Sequence, residues 1–233
     1  MSPAGVVLLQ AQSGGSEAAA GELRRASGFG WNIPGVSLFG ANLPPADAPS
    51  DVQYISDIID ALSDVLCIDS KRVYATGESG GGRMTSLLGC RLADRIAAIA
   101  PVVGLRAGNP DPSDTSRPDP ATCNPSRPVP VIAFSGTADN VNPFLGGGQG
   151  YWRYGVPAAE ERWAEINHCN QGPETTAISP YTNVVSYEAC QSNARVVSHH
   201  VIGAGHTWGV ADNQAMWEFL DENPLPGPRS GTW

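Results

Sequence analysis

Ser79 lies in Gly77-Glu78-Ser79-Gly80-Gly81, directly after the apolar run Val73-Tyr74-Ala75-Thr76. A serine hydroxyl becomes a nucleophile when a base stands beside it and the backbone presents it outward. Glycines allow the sharp strand-to-helix turn that lifts such a serine above a sheet. The chain has 27 glycines, so the pentapeptide alone says little. Its position between a strand-like run and a helix-capable segment gives it weight. The chemistry it could support is nucleophilic attack on a carbonyl carbon.

Such a serine needs a general base, and the chain offers four histidines. His168 falls on an expected helix beside Cys169, where a surface or capping role suits it. His199 and His200 fall late in an expected strand, one pointing inward and one outward, as ordinary packing requires. His206 lies in Gly203-Ala204-Gly205-His206-Thr207-Trp208, a flexible loop after that strand, and is the preferred base. The imidazole in turn needs a carboxylate to fix its tautomer. Asp139 follows a strong strand and precedes His206; a plain turn role capping the next residues is the alternative. Asp111, Asp114 and Asp119 lie within a proline-rich loop and are weaker candidates. The backbone N–H of Gly80 can donate one hydrogen bond to a tetrahedral oxyanion. No glycine-rich segment before residue 31 offers the usual second donor, whose loss costs about 10²–10³ in turnover.

The elements that must hold these groups follow from hydrophobic pattern. A short strand is expected over 6–10, and a loop rich in Gly, Ala and Pro over 13–49. A helix is expected over 51–66, with Val52, Ile55, Ile59, Leu62 and Leu66 on one face and Ser50 or Asp51 at its start. Strands are expected over 73–76, 96–103, 129–134, 184–187 and 196–201, and helices over 80–92, 157–168 and 214–220. Residues 104–128 read as a loop. Strands alternating with helices give a mostly parallel sheet with helices on both faces. Reactive groups then gather at the carboxyl ends of strands, where Ser79, Asp139 and the His206 loop all fall. Serine, aspartate and histidine in that chain order match the α/β-hydrolase arrangement.

The chain of 233 residues carries a formal net charge of −9. One domain spanning 1–233 is expected. The acidity and the lack of a basic run argue against nucleic acid as a partner, and no apolar run has the length of a membrane span. Five cysteines show no zinc-like spacing. They read either as buried thiols or as two disulfides plus one orphan, as in a secreted protein. The N-terminus lacks the basic and apolar regions of a signal peptide.

Cys67-Ile68-Asp69, Arg72 to Gly81, Gly136-Thr137-Ala138-Asp139 and Gly205-His206-Thr207-Trp208 together resemble secreted feruloyl esterases. They also resemble the related poly(3-hydroxybutyrate) depolymerase-like and acetylxylan esterase-like proteins of carbohydrate esterase family one. The resemblance implies an α/β-hydrolase fold, a serine esterase mechanism with Ser79, Asp139 and His206 as triad, and no metal or organic cofactor. It also implies that the family's first strands and His-Gly oxyanion loop precede the segment starting at Ala4, so the chain reads as N-terminally truncated, with an exposed sheet edge. Ser135 and Gly80 replace a common histidine and a common asparagine of the family. Cys169 and Cys190 resemble a family disulfide. Cys67 and Cys90 are expected to pair on geometric grounds. Cys90 lies about 16 Å down the helix after Ser79, and Cys67 precedes a strand about 17 Å long, so both fall at the sheet end away from the site. Cys123 is then the orphan.

Trp31, Asn32, Trp152, Tyr154 and Trp208 are candidates to line an acyl or aryl pocket, with core packing as the alternative for each. The leading expectation is an extracellular carboxylic-ester hydrolase acting on hydroxycinnamoyl esters of plant polysaccharide. A polyester depolymerase, an acetylxylan esterase, a non-catalytic homologue and a peptidase on the same fold are the alternatives.

Overall fold

The computed structural model describes residues 7–9, 31–36 and 49–226. A seven-stranded sheet runs in the order β1-β2-β3-β4-β7-β6-β5. Its strands are β1 (Val7–Leu9), β2 (Val73–Glu78), β3 (Ile99–Val102), β4 (Val131–Gly136), β5 (Gln171–Ser179), β6 (Thr182–Glu188) and β7 (Val196–Val201). The helices are α1 (Asp51–Val65), α2 (Gly80–Arg91), α3 (Val156–Ile166) and α4 (Asn213–Glu222). β1, β2, β3, β4 and β7 are parallel to one another, while β6 and β5 join antiparallel beyond β7.

Local chemistry explains the helix boundaries. Ser50 Oγ accepts from Gln53 N at 3.2 Å and starts α1, as an N-cap serine does. Ile55 and Ile59 form its buried stripe. Leu66, expected on that stripe, is 56% exposed, because the backbone turns extended there, at φ −125° and ψ 149°. Asp212 Oδ1 accepts from Gln214 N and Ala215 N and caps α4. His168 follows α3 at φ 52° and is exposed, in keeping with its expected place at a helix end.

Apolar side chains pack on both faces of the sheet. On one, Ile55, Met84, Leu88 and Trp163 bring α1, α2 and α3 against the strands. On the other, Tyr74 and Phe134 meet Met216, Phe219 and Leu220 of α4. β7 serves both faces in alternate positions. His199 lies against the Phe134 ring at 4.8 Å between centroids. His200 Nε2 lies 2.6 Å from Glu160 Oε1 of α3.

β5 has no counterpart among the expected strands. All nine of its residues are exposed, so it carries none of the apolar alternation that marks a half-buried strand. The expected loop over 13–49 lies mostly outside the described residues.

The disulfides correct one expectation and support another. Cys169 pairs with Cys190, tying the end of α3 to the segment after β6. Cys90 pairs with Cys123, not with Cys67, which is a free, exposed thiol. Height along the sheet was the wrong criterion, because the side of the helix decides the partner. Ser86 Oγ of α2 lies within hydrogen-bond distance of Gly104 O and accepts from Arg106 N. The 104–123 segment therefore runs along that face of α2, and Cys90, one turn further on, meets Cys123 there.

Candidate active site

β2 ends at Glu78, and Ser79 follows at φ 54°, ψ −111° before α2 begins at Gly80. A non-glycine residue in this region is strained by about 1–3 kcal/mol. The surroundings enforce it: Ser79 N donates to Val102 O at 3.0 Å, and Ser79 O accepts from Arg83 N at 2.9 Å. The chain can double back so tightly only because Gly77 lacks a Cβ, which would lie 2.6 Å from the Gly81 carbonyl carbon. Gly80 is the first residue of α2, so its N–H has no acceptor within the helix and lies next to the serine.

Two strands away, Asp139 follows β4. Its Oδ2 lies 2.7 Å from His206 Nδ1. Its other oxygen accepts from the backbone N–H groups of Val141 and Asn142, each at 2.8 Å. The carboxylate is thus held on both oxygens, with its side chain 3% exposed. The turn role and the histidine-orienting role, separate alternatives on sequence, are met by the two oxygens of one side chain. His206 is carried by the loop after β7. That loop is fastened to the end of β4 by Ala138 N to Ala204 O at 2.9 Å and by Gly203 N to Thr137 Oγ1 at 2.9 Å. A Cβ on Gly136 would lie 2.3 Å from Ala204 O, so the close approach of loop to strand depends on glycine there.

β3 stands between the serine and the acid and links them. Val103, just beyond it at φ 41°, has its carbonyl accepting from Asn142 Nδ2 at 2.6 Å. Asn142 Oδ1 accepts from Arg83 Nη1 at 3.1 Å. Arg83 lies one turn along the helix that Ser79 begins. The nucleophile's helix and the acid's loop are therefore joined by Arg83 and Asn142. Neither residue stood out in sequence, because their partners lie 59 and 39 positions away.

The remaining candidates divide. Trp208 is half-buried beyond His206, its indole N–H donating to Asn213 Oδ1 at 3.2 Å. Trp31 and Asn32 are half-buried near the start of α1, where Asn32 N donates to Asp51 Oδ2 at 2.6 Å. Trp152 and Tyr154 are each 1% exposed. Trp152 donates to Pro143 O, and Tyr154 accepts from Ala107 N. Both belong to the core, which withdraws Trp152 from the expected pocket lining: its hydrogen-bonding edge and its face are already covered. Asp111 and Asp114 accept from Ser113 and Ser116 in surface turns, and Asp119 caps a short 3₁₀ turn. A recess of ≈450 Å³ opens beside the Asp139 loop, lined by Asn140, Val141, Pro143, residues 147–150, Tyr151 and Arg153. Tyr151 was not among the expected pocket residues; its ring stacks on Arg83, 4.7 Å from the guanidinium carbon to the ring centroid. Among the described residues no cluster of His, Cys, Asp or Glu could hold a metal ion. The segment before residue 31, expected to lack a second oxyanion donor, lies outside them except for 7–9.

Known proteins agree with this layout. The acetyl xylan esterase of Aspergillus awamori superposes with a TM-score of 0.50 at 13% identity, over 74% of this chain and 67% of that one. A thermostable esterase matches at the same TM-score and 19% identity, over 80% of this chain and 40% of the other. The fold is that of an α/β-hydrolase. In sequence, this chain is 33% identical to feruloyl esterase B of Piromyces equi over 207 residues, 85% of the chain. It is 27% identical to the bifunctional acetylxylan esterase/xylanase XynS20E of Neocallimastix patriciarum over 187 residues, 78% of the chain. The chain spans about a third and a quarter of the lengths of these two relatives. No protein-family model matches it. The resemblance to feruloyl and acetylxylan esterases read from the motifs is thus borne out by similarity over most of the chain.

Proposed function

We propose that residues 1–233 form one catalytic domain of an extracellular serine esterase that cleaves feruloyl or related hydroxycinnamoyl esters of plant polysaccharide. The Asp139–His206 contact of 2.7 Å, on the same sheet edge as the strained Ser79, carries the proposal. Likeness to feruloyl esterase B supports the acyl group. Two disulfides support an oxidising compartment.

In this mechanism Asp139 holds the imidazole with Nε2 free to act as base. His206 takes the proton of Ser79 Oγ as the oxygen attacks the ester carbonyl. The tetrahedral oxyanion receives a hydrogen bond from Gly80 N–H. His206 then gives its proton to the leaving sugar hydroxyl, leaving an acyl-serine. Water, activated by the same imidazole, releases the acid. The recess lined by Tyr151 and residues 147–150, beside the Asp139 loop, is the candidate place for the sugar side.

Hydrolysis of methyl ferulate and p-nitrophenyl acetate by the protein and by Ser79→Ala tests this. The variant should lose activity by at least about a thousandfold, together with labelling by a fluorophosphonate. Equal rates in both proteins would end the proposal. An acetylxylan esterase is the second reading, favoured by the likeness to XynS20E in sequence and to the Aspergillus awamori acetyl xylan esterase in fold. Acetylated xylan cleaved faster than methyl ferulate would select it.

A further inference from the structure

Away from the catalytic groups, a cavity of ≈70 Å³ opens between α2, the 33–36 segment and the 104–123 segment. Three arginines line it, Arg83, Arg91 and Arg106, and among the described residues no Asp or Glu does. In a chain with a net charge of −9 this concentration of cations is unexpected.

Arg106 is 5% exposed. Its Nη2 donates to Gly108 O at 3.0 Å, but its Nη1 is buried with no partner among the described residues. Aromatic faces cover the guanidinium, Tyr154 at 4.2 Å and Trp152 at 5.4 Å. Arg83 spends Nη1 on Asn142, and its Nε is likewise buried without a partner among the described residues. Neither arginine has a salt bridge among the described residues. Cation–π contact offsets only part of the cost of burying such a charge. Water in the cavity would satisfy the N–H groups and leave two like charges uncompensated. Burial pulls both guanidinium pKa values below the ordinary arginine range, and Arg83 pulls Arg106 down further.

We propose that Arg83 and Arg106 hold a small monovalent anion, a halide or a short carboxylate, in this cavity. A single water needs about 10–15 Å³ of such volume, so the space takes a chloride with a few waters, or an acetate. Asn109 and Ser86 supply neutral polar atoms around it. The site stands apart from the esterase reading and does not depend on it. Its effect still reaches the catalytic acid, because Arg83 binds Asn142 and Asn142 N binds Asp139.

The test is thermal unfolding of the whole protein in chloride and in acetate, at an ionic strength held constant with gluconate, a much bulkier anion. A saturable rise in Tm of about 5–10 °C at a hundredfold excess over Kd is expected. Arg106→Met should abolish the saturable part, and Arg106→Lys should weaken it. Chloride-35 NMR on the unmodified protein provides a second measurement should Arg106→Met not fold. Excess line broadening that acetate displaces supports the site, and the anion with the lower midpoint is its preferred occupant. A Tm that varies linearly with every salt, with no excess broadening, overturns the proposal.

Discussion

At the scale of single residues, Asp139 carries the most consequence. It orients His206 with one oxygen and gathers two backbone N–H groups with the other. Asp139→Asn keeps the size but presents an amide where acceptors are needed. The imidazole then loses the partner that fixes its tautomer, and kcat for methyl ferulate should fall by about 10⁴ with KM little changed. A fall of less than tenfold would show that another group orients the base. Ser79, Asp139 and His206 were legible because each stands in a short run that announces a strand end. Arg83 and Asn142 were not, since nothing local distinguishes a buried arginine at the first turn of α2 from a solvated one. Trp152 shows the same limit from the other side, because an aromatic in a glycine-rich loop reads as pocket or as core until its neighbours are known.

At the scale of elements, the parallel strands and their helices were readable from apolar runs, and the start of α1 from its cap at Ser50. β5 was not readable, because an exposed edge strand needs no hydrophobic signal when its pairing with β6 supplies its hydrogen bonds. The pairing of Cys90 depended on which face of α2 the 104–123 segment follows, a long-range fact set by Ser86 and Arg106. The Cys90–Cys123 bond closes a separation of 33 residues. Replacing both cysteines with serine should lower stability by about 3–4 kcal/mol, measured by urea unfolding under oxidising conditions. The same measurement on Cys67→Ser should give a midpoint unchanged from the parent, since that thiol is unpaired and exposed.

At the scale of the whole molecule, the parallel body from β2 to β7 carries every candidate catalytic group, and the β5–β6 hairpin extends the sheet away from them. The histidine loop rides on β7 yet is fastened to the end of β4, the strand that presents its carboxylate. Acid and base are therefore fastened to each other directly, while the serine's helix is joined to them through Arg83, Asn142 and the end of β3. The fastening uses backbone atoms and one threonine hydroxyl, so its tolerance of sequence change is lopsided. Gly136→Ala would put a methyl group 2.3 Å from Ala204 O; it should cut kcat at least tenfold while far-ultraviolet circular dichroism stays that of the parent. Gly205→Ala, next to the base itself, meets nothing within 4 Å and should retain full activity. Mutational libraries around His206 can thus be generous at the position beside it and must spare a glycine on a different strand.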